Sequence, residues 1–196
     1  MATTDLLLLA FQRFDAANRL DPNTEVYQGV TYPKEVLYGM RMTECLNAYC
    51  PNASEALRLA SRCQHLCRWE IPRERYDMDR RGYLQWRLDL KKFHTRKAGE
   101  ILRELGYDAP TIDKVGFLLQ KKHLKRNAET QILEDVVCLV FLEFYFESFA
   151  QKHPEDKTID ILQKTWGKMS QRGQEHATRV PLSKFASDLV SKALTL

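Results

Sequence analysis

A chain of 196 residues, 44% of them hydrophobic, can bury one sizeable core without a metal or a disulfide to hold it, and its length favours one domain spanning 1–196. A net charge of +4 with 29% charged residues is a mild basic excess, which admits an anionic ligand without demanding one. Five cysteines, an odd number set inside apolar segments, do not make a disulfide framework and read as reduced core residues of a chain in a reducing, cytoplasmic or organellar compartment.

Periodicity places helices at about 4–19, 34–49, 54–69, 82–105, 111–125, 129–151, 157–170 and 182–194. No stretch alternates as a strand would, so the expected class is all-α, a compact multi-helix domain. The first segment carries Asp5 before the Leu6–Leu9 run and no basic region ahead of it, which argues against a secretory signal. A polar linker, Leu20–Tyr32, turns at Asp21-Pro22-Asn23. Pro33 opens the second helix, on which Arg41 and Glu44 stand three apart, placed to pair.

Ser54 opens the third helix, whose core stripe is Ala56, Ala60, Cys63 and Cys67. His65 falls off that stripe, with Arg58, Arg62 and Arg68 on its side. Guanidinium groups around an imidazole depress its pKa and suit a phosphate or carboxylate pocket; the same residues also read as a solvated basic face. Cys63 and Cys67 lack the two-residue spacing of paired zinc ligands, so with Cys45 and Cys50 they read as core.

A charged linker, Ile71–Arg81, leads to the fourth helix, whose inward stripe is read as Leu84, Leu88, Thr95, Ala98, Leu102 and Leu105. His94 stands at the edge of that stripe beside Arg87, Leu90, Lys91 and Ile101, as a packed side chain or as a ligand. The basic run Lys121, Lys122, His123, Lys125, Arg126 suits a helix end. Together with Arg73, Arg75, Arg80 and Arg81 among Tyr76, Tyr83 and Trp86, it also resembles a single-stranded nucleic-acid surface, diluted by Glu70, Glu74, Asp77 and Asp79.

The segment 129–151 is hydrophobic on nearly every face after Asp135 and is expected to be the central helix. A carboxylate there must have a partner: a metal, an arginine such as Arg41, or a histidine. Glu143 and Glu147 interrupt Val136–Phe149, so no uncharged stretch reaches the roughly 18 residues of a membrane span. Gly-rich phosphate loops, GxSxG and HExxH are absent from the sequence.

The strings FDAANRLDPN, PKEVLYGMRMTE, QHLCRWEIPRERY, RGYLQWR, FHTRKAGEIL, QILEDVVCLVFLEFYF and DKTIDILQKTWGKMS together resemble the family known as domain of unknown function 4202, over nearly the whole chain. That resemblance carries no activity. In order and rough spacing the helices are also similar to the HD phosphohydrolase superfamily, whose metal ligands are a histidine, a His-Asp pair and a distant aspartate. LRLASRCQHL resembles the segment of the pair, with His65 in the histidine place. FHTRKAGEIL resembles the later histidine-bearing helix through His94, and ETQILEDVVCL the last one through Asp135. Leu66 stands in the place of the paired aspartate, and Arg41 or a neighbour in that of the first histidine.

The ligands this resemblance leaves are His65, His94, Glu44, Glu70 and Asp135, a nitrogen and carboxylate mix suited to manganese, iron or zinc. It implies a pocket for a nucleotide or other small phosphoester, with Arg41, Arg68, Arg73 and Trp69 as binding residues. If catalytic, the reaction would be metal-assisted hydrolysis through His65, His94 and Asp135. The alternative is a non-catalytic anion-binding or protein-interaction module, and RNA binding is a third reading.

Overall fold

The computed structural model describes residues 3–195. Regular structure in them is helical apart from one hairpin: α1 (Thr3–Asn18), β1 (Thr24–Tyr27), β2 (Val30–Pro33), α2 (Lys34–Tyr49), α3 (Glu55–Arg62), α4 (Arg80–Glu104), α5 (Ala109–Leu119), α6 (Ala128–Val140), α7 (Phe146–Ala150), α8 (Glu155–Lys168), α9 (Gln171–Ala177) and α10 (Lys184–Thr195). The chain falls into two compact units, Met1–Lys122 and His123–Leu196. No helix of the described residues is long and apolar enough to cross a membrane.

The hairpin lies in and just beyond the polar linker Leu20–Tyr32, where no strand is expected from the pattern. Its two-residue turn, Gln28-Gly29, has positive φ at both positions (50° and 77°), the geometry that matches strand twist. Three expected helices are also shorter than their periodicity suggests. The third stops at Arg62 and gives way to a turn over 63–67, which closes on a left-handed Cys67 (φ 53°) ahead of a 3-10 turn at Arg68–Glu70. The fifth stops at Leu119, with Lys121, His123 and Lys125 at positive φ. The segment 129–151 is broken by a π turn at Phe141–Tyr145, on which Glu143 is exposed.

In the first unit α3 packs against α1, α2 and α5, and α4 against α1 and α5. The buried face of α2 includes Glu35, Tyr38, Met42, Leu46 and Tyr49, a three-and-four spacing with a carboxylate at its head. The inward stripe of α4 is Leu90, His94, Ala98 and Leu102, four residues apart. Leu84 and Leu88, expected to face inward, are 58% and 47% exposed. His94 is therefore in the middle of the buried face and not at its edge.

In the second unit α6 packs against α8 and α9, and α8 against α10. Asp135, 1% exposed on α6, ties down the start of α9. Its Oδ1 accepts from the Ser170 amide (2.8 Å) and from Gln131 Nε2 (2.9 Å), and its Oδ2 accepts from Ser170 Oγ (2.5 Å). Ser170 caps α9 by accepting from the Gly173 amide. Ser170 and Gln131 thus supply hydrogen bonds that a buried carboxylate requires.

The close approach of α9 to Asp135 requires glycine at 173, where a Cβ would meet Asp135 Cγ and Oδ1 at 2.7 Å. Gly173→Ala should lower stability by about 1–3 kcal/mol. Gly167, within α8, makes the contrasting case, because a Cβ added there would meet nothing within 4 Å. Gly167→Ala should be neutral or stabilising by up to about 1 kcal/mol. Chemical denaturation of the two variants checks the pair, and equal effects would contradict the packing described.

Candidate functional site

The start of α2, the turn between α3 and α4, and α4 itself bring five side chains together: Glu35, Tyr38, His65, Arg68 and Trp86, with His94 of α4 beside them. His65 Nδ1 lies 3.1 Å from Glu35 Oε2, and its Nε2 lies 3.2 Å from Arg68 Nη1. Its ring stacks on Tyr38, centroids 3.8 Å apart and planes 10° apart. The Arg68 guanidinium sits 4.7 Å over the ring of Trp86, whose Nε1 donates to the Ile71 carbonyl at 2.8 Å. The rings of His65 and His94 are 6.2 Å apart.

These contacts fix the protonation of both imidazoles. Arginine has donors only, so His65 Nε2 must present its lone pair to Arg68. The ring proton of neutral His65 is then on Nδ1, donating to Glu35. His94 Nδ1 is 2.8 Å from the Leu66 carbonyl, which can only accept, so it too carries the proton and leaves Nε2 with a lone pair. That Nε2 is buried and meets no hydrogen-bond partner among the described residues.

Electrostatics agree with this assignment. Burial first, and then the charges of Arg68, Arg87, Lys121 and Lys34, hold His65 well below the ordinary imidazole value. Burial, then His65, pushes His94 down to about 3. Burial raises the Glu35 pKa against the opposing pull of Arg68 and Lys34. One carboxylate thus faces several cations across two neutral rings.

The backbone around this cluster is held by the linker of α1 and α2. Asn18, 2% exposed, accepts from the Cys67 amide (2.8 Å) and donates to the Glu35 carbonyl (3.3 Å). Asp21 accepts from the Glu35 amide at 3.2 Å and from the Asn23 amide at 2.9 Å. Asn18 therefore anchors the left-handed residue beyond His65 and the segment bearing its partner carboxylate. Arg73 donates to the carbonyls of Tyr76 (3.0 Å), Asp77 (2.5 Å) and Asp79 (3.2 Å), which shapes the approach to α4.

Of the residues singled out from sequence, His65, His94 and Arg68 converge here. Trp69 is half-buried in the adjoining 3-10 turn and makes no hydrogen bond among the described residues. Glu70 is exposed and paired with Lys97 at 2.8 Å, and Glu44 is exposed on α2. Arg41 pairs with Glu25 at 2.6 Å and lies over Tyr27, not with Glu44 as its spacing suggested. Arg58 and Arg62, expected on the His65 side, bind Pro51, Ala53 and Asn47, and Asp15, respectively. Asp135 belongs to the second unit. Among the described residues no three His, Cys, Asp or Glu side chains cluster as a metal ion requires.

Glu35 and Tyr38 were missed as site residues, and Trp86 was read only as an aromatic of a nucleic-acid surface. A carboxylate at the head of the Tyr38, Met42, Leu46 and Tyr49 stripe was the available signal for Glu35, since a charge on an apolar stripe needs a partner.

The depressed value of His94 has a definite sign in stability. Between 6.5 and about 3 the unfolded chain takes up a proton that the folded chain refuses, so stability present above 6.5 is lost as pH falls through this window. Glu35, with a raised value, contributes in the opposite sense: its stabilisation is present in acid and is lost as pH rises. His94→Asn, whose amide can still donate to Leu66, should flatten the acid side of the profile. Melting temperatures across that range check this, and parallel profiles for the two proteins would contradict it.

No curated protein and no solved structure matches the chain. The model of one family, Domain of unknown function (DUF4202), matches residues 9–190. That span takes in the Asn18 anchor, the Glu35–His65–Arg68 cluster, His94 and the Asp135 tie alike, and the chain belongs to this family.

Proposed function

We propose that the first unit binds a small oxyanion of the phosphate or phosphoester class at Arg68. The observation that carries this reading is the state of that guanidinium. Nη1 is tied to His65 and the plane rests on Trp86, while its other donors make no hydrogen bond among the described residues. A guanidinium fixed at one corner and open at the others is pre-organised for bidentate recognition of an oxyanion. Lys34, Arg87 and Lys121 add positive potential, and Glu35 is the acid acting on the group. Burial lowers the Arg68 pKa, which measures the cost of holding this cation out of water. A bound anion relieves that cost.

The metal-dependent hydrolysis implied by the HD resemblance fits the residues less well. Arg68 faces the His65 lone pair that a metal would need, and several cations raise the local potential against a further one. Leu66, in the place of the paired aspartate, is fully buried and offers only its carbonyl, which holds His94. Glu70 has Lys97 as partner, and Asp135 has Ser170 and Gln131. The RNA reading loses Arg73, whose guanidinium is committed to three backbone carbonyls.

Titration with inorganic phosphate at constant ionic strength tests the proposal, read by calorimetry and by the rise in melting temperature. Arg68→Ala should weaken binding by roughly tenfold or more, the scale of a lost charge-assisted pair, and Arg68→Lys by less. Arg58→Ala, whose guanidinium is occupied at the end of α2, should leave binding unchanged. Equal phosphate affinity in the wild type and Arg68→Ala would overturn the assignment.

A further inference from the structure

The Nε2 atom of His94 adds a condition on the ligand. A buried acceptor without a donor is costly, and it persists where a ligand supplies the donor. The ring is held against turning, because its Nδ1 proton is taken by the Leu66 carbonyl and it packs T-shaped with Phe93, centroids 5.8 Å apart. Nor can it switch to donating, because acquiring a second proton is opposed by burial and by the charge of Arg68. The His94 ring lies 6.2 Å from that of His65, whose Nε2 is 3.2 Å from Arg68 Nη1, so the lone pair and the open guanidinium flank the same imidazole.

We propose that the oxyanion bound here brings an O–H donor of its own, which His94 Nε2 accepts while Arg68 holds the anionic oxygens. This rests on the anion-binding reading of the same cluster. The donor is either a protonated oxygen of the oxyanion itself or a hydroxyl neighbouring it on an ester chain. Sulfate and fully deprotonated alkyl phosphates lack such a group. They would satisfy Arg68 and leave His94 unpaired.

Two matched pairs of probes separate the sources. In mildly alkaline buffer, phosphate and sulfate are both dianions, but only phosphate keeps an O–H. Glycerol 3-phosphate and n-propyl phosphate share a dianionic head, and only the first has hydroxyls. Discrimination on the order of tenfold is expected in at least one pair, the value of one buried acceptor satisfied or left bare. The pair in which it appears identifies the source of the donor. His94→Asn, which keeps the bond to Leu66 and lacks the Nε2 lone pair, should bring both ratios to about one without weakening sulfate. His94→Gln, which can return an oxygen near the Nε2 position, should restore part of the preference.

Equal affinities within both pairs for the wild type would overturn this inference and leave the Arg68 site standing. Discrimination that survives in His94→Asn would overturn it also. Absence of binding by all four probes would overturn both readings. The wild-type comparison needs no variant, so the inference is testable even where a substitution at 94 impairs folding.

Discussion

The site depends on one constraint: a guanidinium, which can only donate, faces a ring nitrogen of His65. Once Arg68 Nη1 sits 3.2 Å from Nε2, the proton of that ring must be on Nδ1, and it must point at Glu35. Protonation of the second nitrogen would set N–H against N–H beside a cation. The row Glu35, His65, Arg68 is therefore directional, with each donor given to an acceptor. The same logic, applied through the Leu66 carbonyl, leaves His94 with its lone pair unpaired.

Such an arrangement is expensive to build, and the surrounding fold shows where it is offset. Glu35 and His94 are nearly buried, and Cys67 holds a left-handed conformation that a non-glycine residue adopts at a cost of about 1 kcal/mol. Asn18 spans the two segments concerned, accepting from the amide of Cys67 and donating to the carbonyl of Glu35. Tyr38 covers one face of His65 and Trp86 one face of Arg68, so both polar groups keep one orientation. Local stability is thereby converted into a fixed field of cations around two neutral rings.

Much of the helical architecture was legible because long helices repeat their apolar residues regularly, and α1, α2 and α4 lie close to their expected positions. His65, His94 and Arg68 were legible as candidates because polar groups on apolar helices need partners. The partners themselves were not. His65 lies in a turn, and the left-handed Cys67 that ends the helical path has no side-chain signature such as glycine. The α4 stripe was misread because Leu84 and Leu88 match the helical period, yet Leu90, His94, Ala98 and Leu102 are the face that is buried. Periodicity gives the spacing of a stripe and not its rotation about the axis. Asp135 was read correctly as a group in need of partners, but Ser170 is 35 residues away and carries no pattern linking the two.

The site's chemistry turns on where the ring protons of His65 and His94 sit, and nitrogen NMR of the histidine side chains reads their positions directly. With only five histidines in the chain, the resonances of His65 and His94 can be assigned by single substitutions. At neutral pH both should appear as neutral rings protonated at Nδ1, with Nε2 of each in the unprotonated range, and added phosphate should shift His94 Nε2. A ring protonated at Nε2, or an imidazolium at either position, would contradict the account.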